Sequence, residues 1–398
     1  MSFWSRLDLR VQQHKFWINF LVIILFIMTF ATQAFAVENV DKQVLKSEIG
    51  QVRSVENFGN EELSQGGELK QVRQSVEVNV LTGYHKGEKV IIDNMLMGNP
   101  AYDINLKNGD KVILHVEQEN SNLQTGGVNF FIADKYRAGS LYFLAGLFCL
   151  LLILVGRKKG FFSLISIVVT LGAIFWGLTP LILSGMNPIL ATVLTCVLSA
   201  ILSIYLVGGL NAKSTAAILG TVLSLVLAGG LSVFTIKFAS LTGFSCEESL
   251  FLFSAHPQLN FVGVLASAMI IGALGALMDI GMSISSTVNE LFEGNTQLSV
   301  KDLFDSGMNV GRDIIGMMSN TLILAYLGSA LSLVLLSSNI DLQKFFNLNQ
   351  VATEISSALI GSIGIVVCVP ITAIFAAYLI KRFNKEALEE NDFSDIIR

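Results

Sequence analysis

Eight long apolar runs, a low charge content and one polar stretch of about 100 residues with strand-like alternation lead to a single architecture. The chain is expected to be an α-helical polytopic membrane protein of about 7–8 transmembrane helices, with a small extracytoplasmic β-rich domain inserted after the first helix. Of 398 residues, 52% are hydrophobic and 14% charged, and mean hydropathy is +0.62. Soluble globular chains carry about 25% charged residues, so ordinary soluble composition is excluded. The net charge of −5 arises mainly after Ala36 and does not suit a nucleic-acid partner. The lipid bilayer is the first partner implied. Of the four cysteines, Cys149, Cys196 and Cys368 fall in apolar runs and Cys246 in a connection, so neither a disulfide framework nor a CxxC metal motif is present.

The first run, Phe16 to about Ala36, follows Arg6, Arg10 and Lys15. Residues 1–36 therefore read as a cytoplasmic N-terminus and signal-anchor helix. Ala34-Phe35-Ala36 is also an A-x-A cleavage pattern, and cleavage there would leave seven spans and an outside N-terminus. The uncleaved anchor is the expectation, because the run is long for a signal-peptide core. Residues 37–138 form the β-rich domain, 139–383 the helix bundle and 384–398 a cytoplasmic tail.

Within 37–138, Ser75–Leu81 alternates polar and apolar residues, and Lys89–Ile92 and Lys111–Val116 read as further strands. Lys107-Asn108-Gly109-Asp110 has the composition of a hairpin turn, since Asn-Gly tolerates positive φ. Tyr84–Glu88 is a second turn, and Gly59–Gln71 is a polar loop. A domain of this size suits a small OB-like barrel. His85 and His115 read as a turn and a strand histidine rather than as metal ligands.

In the bundle, the spans are expected near Leu141–Val155, Phe161–Leu183, Ile189–Leu210, Thr215–Ile236, Phe261–Ile284, Ile314–Leu336 and Ser356–Ile380, each near the roughly 20 residues a bilayer requires. Arg157, Lys158, Lys159, Lys213, Lys301, Arg312, Lys381, Arg382 and Lys385 then share one side with the basic N-terminus, while the opposite short connections carry only Lys237 and Lys344. Retention of basic residues makes that side cytoplasmic. Pro180, Pro188 and Pro370 mark span ends or a kink. Ser245–His256 reads as an outside interfacial or re-entrant loop, anchored by Phe251 and Phe253, with His256 as a loop cap.

Two polar stripes interrupt this apolar background. Asp279, Ser283, Ser286 and Glu290 recur at helical spacing, as do Asp305, Asn309, Arg312, Gly316 and Asn320. Ionisable groups at membrane depth are costly, so they face a bundle interior, a partner or a water-filled path. The candidate transport seam is Asp279, Ser283, Glu290, Asn309, Arg312, Asp313 and Asn320. A proton or cation site is the functional reading; helix-end carboxylates held by Arg312 or by serines are the structural one. Arg312 is expected to pair with Asp279 or Glu290, leaving Asp313 elsewhere along the seam. Between the stripes, Ser299-Val300-Lys301-Asp302 looks like a helix cap. It opens an amphipathic segment at Leu303-Phe304, which is expected to lie along the inner surface before rising into the membrane through 308–313.

No HExxH, GxSxG, Walker loop or GxGD-like aspartyl pair occurs, so neither an enzyme nor a cofactor is expected. The stretches Gly-Ala-Leu-Gly-Ala-Leu-Met-Asp-Ile-Gly-Met-Ser-Ile-Ser-Ser (272–286) and Gly-Met-Asn-Val-Gly-Arg-Asp-Ile-Ile-Gly-Met-Met-Ser-Asn-Thr-Leu-Ile-Leu-Ala-Tyr (307–326) resemble the YibE/F family of bacterial multispanning membrane proteins. The resemblance covers most of the chain from about residue 75. It implies a homo- or hetero-oligomer with a related membrane subunit, because members often occur as neighbouring gene pairs. A fainter likeness is to SecD/SecF and the wider RND permeases. That likeness implies ion-coupled transport, with Asp279 and Asp313 as carriers of a proton or cation. The functional expectation is a transporter or transporter subunit of the cytoplasmic membrane, with a small ion or solute as cargo. The alternative is a non-transporting assembly or accessory protein that binds an envelope partner through its outside domain.

Overall fold

The computed structural model describes residues 46–61, 71–99, 102–118 and 128–396. The expected first span, its A-x-A pattern and residues 62–70 of the expected polar loop lie outside them. The chain divides between Leu151 and Leu152 into two compact units.

The first unit is built on five antiparallel strands: β1 (Lys46–Glu61), β2 (Gln71–Val80), β3 (Lys89–Leu96), β4 (Lys111–Gln118) and β5 (Val128–Lys135). Their order is β3-β2-β1-β4-β5, with the long β1 at the centre. Lys46–Gln51 pairs with β4, while Gly50–Glu61 pairs with β2. The register shifts between Val52 and Ser54, where an extra residue bends the strand from one partner to the other. That bend curls the sheet into a barrel-like form. Alternation along the strands then points Val76, Val78, Val80, Ile92, Val112 and Leu114 into one core. All three strands read from the sequence are present. β1 and β5 escaped notice because β1 carries charged and amide residues on both faces and the Phe130-Phe131-Ile132-Ala133 run of β5 breaks the alternation.

The two turns behave differently. Tyr84–Glu88 lies in a true hairpin, with Val80 N–H donating to Glu88 O at 2.9 Å and Gly87 N–H to Val80 O at 2.9 Å. Lys107–Asp110 is a tight turn, but it joins an irregular segment to β4 instead of linking two paired strands. Asp110 accepts from Lys135 Nζ at 2.9 Å and from Lys107 N at 3.0 Å, which holds its carboxyl below the usual value. Arg137 does the same for Asp134 at 2.7 Å.

The second unit is helical. After α1 (Ala138–Gly172) come a π-helical turn (Ala173–Leu178), α2 (Thr179–Leu183), α3 (Pro188–Gly208), α4 (Ala212–Phe238) and α5 (Glu247–Ala255). The chain continues through α6 (Phe261–Gly294), α7 (Val300–Ser329), α8 (Leu331–Leu336), α9 (Leu342–Phe346) and α10 (Asn349–Ile396). Among the described residues, five helices are long and apolar enough to cross a membrane, or six if α7 and the bent segment after it form one span.

Local sequence explains the boundaries. Asn187, Asn211 and Asn260 each accept a backbone N–H at the start of α3, α4 and α6. Ser299 and Asp302 form the expected capping box at α7. Arg157 breaks the first helix at φ 50°, ψ −127°. The reversal is so tight that Gly160 lies against the Leu152 carbonyl, where a Cβ would collide. The expected interfacial loop at Ser245–His256 is the short helix α5. Phe253 packs on Phe244 and Phe261 at centroid distances of 5.6 and 5.7 Å, while Phe251 stays exposed. His256 caps its end, its N–H donating to Leu252 O.

α6 is the hub of the bundle and packs on α3, α4, α7 and α10. Small residues permit the approach: Gly281 meets Thr221 and Ala217 of α4, and Gly307 and Gly311 of α7 meet Ala373 and Val369 of α10. The expectation of a surface-lying segment that then rises is corrected, because α7 is one continuous helix from Val300 to Ser329. Its break falls at the opposite end, where the next segment leaves at 69°. There Gly328 weakens the helix, and Ser329 Oγ donates to Tyr326 O at 2.8 Å.

Candidate functional site: two outward polar faces

The buried side of α6 runs through Leu277, Gly281, Ile284 and Val288. The polar set Asp279, Ser283, Ser286 and Glu290 is that same series displaced by two residues. Two residues rotate a helix by about 200°, so the polar set points away from the core. Asp279, Ser283 and Glu290 are exposed, and Ser286 is half-buried.

α7 repeats the arrangement. Its buried residues are Leu303, Gly307 and Gly311. Displacement by two gives Asp305, Asn309 and Asp313, all exposed, together with Arg312, Gly316 and Asn320. The expected seam is therefore no internal channel of one chain. It is a pair of outward polar faces on neighbouring helices: Asp279 and Glu290 are exposed on α6, and Asp305, Arg312 and Asp313 on α7.

The expected Arg312 pair is also corrected. Arg312 Nη1 donates to Asn309 Oδ1 at 2.8 Å, one turn back on its own helix. The ion pairs Arg73–Asp93, His85–Glu48, Lys135–Asp110 and Arg137–Asp134 lie in the β unit, and none of them involves Arg312. The reason is geometric. α6 and α7 meet through Ile284, Val288, Gly307 and Gly311, and Asp279 and Glu290 lie about half a turn from the buried series of α6, away from that contact.

Hydroxyls, not charges, supply the polar interior. Thr192, Ser199, Thr221, Ser267, Ser285 and Thr372 are buried among α3, α4, α6 and α10. Thr221 Oγ1 donates to Leu277 O at 3.3 Å, tying α4 to α6. Lys381 Nζ donates to Leu298 O at 2.8 Å and ties the α6–α7 connection to α10.

Sequence reading missed one more feature. A cleft of about 370 Å³ opens between the end of α7 and the start of α10, and it contains Tyr326 and Glu354. Glu354 lies two residues before the apolar run that was expected to start at Ser356, so it read as a connection residue. His85 Nδ1 lies 3.1 Å from Glu48 Oε1, and its ring packs edge-on against Phe130.

Residues 144–382 match the model of the YibE/F-like protein, and residues 43–130 match that of the YibE/F family N-terminal domain. No curated protein and no solved structure matches the chain, which leaves the SecD/SecF likeness without support.

Proposed function

Because this chain belongs to the YibE/F family, and because its apolar helices carry polar stripes turned away from their own core, we propose that it is a cytoplasmic-membrane permease or permease subunit without enzymatic activity. The polar faces of α6 and α7 form half of a path, and a second membrane subunit supplies the other half. The outward set at Asp279, Asn309, Arg312, Asp313 and Asn320 carries this reading, since charges directed at hydrocarbon need a polar partner. Asp279 and Asp313 are the proposed carriers of a proton or cation.

The reading uses more spans than length alone counts. A straight helix from Ala138 to Leu183 would be about 70 Å long, over twice the hydrocarbon thickness of about 30 Å, and Arg157 supplies the break that divides it in two. With the bent α7 segment as one span and the apolar run before Ala36, the count becomes eight. The basic turn at Arg157–Lys159 then faces the cytoplasm and the β unit faces outward.

The test is complementation of a deletion strain. Asp279→Asn and Asp313→Asn at normal expression should each reduce rescue of the deletion phenotype. Full rescue by both would remove the carrier assignment.

A second reading, an assembly protein, draws support from β3. It is an edge strand, and Ile91 and Met95 stand exposed on one of its faces. If binding through that edge is the whole function, removing residues 40–135 abolishes rescue while the two Asp→Asn variants rescue fully.

A further inference from the structure

The face that α7 turns away from its own bundle has a second regularity. Asn309, Asp313, Gly316, Asn320, Ile323 and Leu327 follow one another at steps of 4, 3, 4, 3 and 4 residues, and all six are exposed. A period of about 3.5 residues is that of a helix packed along its length against a parallel partner. Small and polar residues on such a line are the groups that join helices within a membrane. Lipid chains offer Asp313 and Asn320 nothing to bond.

The face is its own complement. In a parallel seam each side chain enters a hole formed by four residues of the facing helix. By that rule Asp313 enters a hole formed by Asn309, Arg312, Asp313 and Gly316 of a second copy. Its carboxylate meets a guanidinium that already lies along this face, held by Asn309 at 2.8 Å. The two-fold relation makes the same exchange a second time, so the charges of both copies balance. The Asn320 amide both donates and accepts, so it matches its own counterpart across the axis. A Cβ placed on Gly316, between these two levels, would meet no atom within 4 Å, which leaves room for a second backbone. Copies that share one topology are related by an axis along the membrane normal, which sets the two α7 helices parallel.

We propose that α7 is the seam of a homodimer, in which a second copy of this chain packs in parallel along Asn309–Leu327 and Arg312 of each copy pairs with Asp313 of the other. The proposal names the second subunit of the permease reading and rests on that reading for the need of one, but it does not require transport.

The experiment is oxidative crosslinking with copper phenanthroline in native membranes. The full chain carries Cys149→Ser and Cys246→Ser, while Cys196 and Cys368 stay in place because they are buried. Gly316→Cys, Asn320→Cys, Ile323→Cys and Leu327→Cys should each give a covalent dimer. Thr321→Cys and Ala325→Cys, exposed but off the seam, should not. With Ile323→Cys as reporter, Arg312→Glu and Asp313→Lys should each lose the dimer when expressed alone. Coexpression of the two should restore it, since each altered charge then meets its opposite, a recovery that a mere folding defect would not show. Equal yields on and off the seam, crosslinks to a different protein alone, or no recovery on coexpression would each overturn the proposal. No dimer, with Asp279→Asn still impaired in rescue, would remove the homodimer and leave the permease reading in place. A dimer whose Asp→Asn variants rescue fully would support the homodimer and remove the carriers.

Discussion

At the residue scale, Glu48 shows how a polar side chain organises its surroundings. It is only 3% exposed, and its Oε1 accepts from the Tyr84 backbone N–H at 2.8 Å while lying 3.1 Å from the His85 ring. Gly83 sits under that carboxyl with φ +88°. A side chain there meets two penalties, positive φ and a collision with a buried carboxylate. Gly83→Ala should therefore destabilise the β unit by about 1–3 kcal/mol, read as a lower denaturation midpoint. An unchanged midpoint would show that the hairpin adjusts freely. Glu48 gives no sequence signal, because nothing local distinguishes it from the exposed acids around it. Its burial is decided by which side of β1 faces the barrel once the strand has bent.

At the element scale, α7 is far less embedded than its neighbour α6. It carries three buried residues, two of them glycines, against sixteen in α6. Its docking depends on closeness rather than on large apolar side chains. A Cβ on Gly311 would strike the Val369 side chain of α10. Gly311→Leu should lever α7 off α10 and cost about 1–3 kcal/mol through overpacking. Limited proteolysis of the 294–300 connection in membranes would report it as faster cleavage, and cleavage at the parental rate would contradict this account. The stripes of α6 and α7 were legible as stripes from spacing alone. The choice between an internal seam and an outward one, however, needed to know which helices cover which series.

At the scale of the whole molecule, the orientation reading makes a direct claim. Cys246 is exposed at the start of α5, whereas Cys196 and Cys368 are buried in the bundle. In a Cys149→Ser background, a membrane-impermeant maleimide should modify Cys246 in intact cells. Cysteines introduced at Lys158 or Asn295 should react only after permeabilisation. Labelling at Asn295 from outside would invert the topology and place the acidic α6–α7 connection on the other surface.

The membrane class, the positions of the apolar runs, the strands β2, β3 and β4, the Ser299 cap and the two polar stripes were determined by sequence alone. Each depends on composition, periodicity or chemistry within a few residues. Tertiary structure decided the rest: the curl of β1 at Val52–Ser54, the outward aim of Asp279 and Asp313, the turn of Arg312 toward Asn309, and the cleft holding Tyr326 and Glu354. These depend on contacts between segments far apart in the chain. A periodic pattern says which residues share a face. Only packing says what that face looks upon.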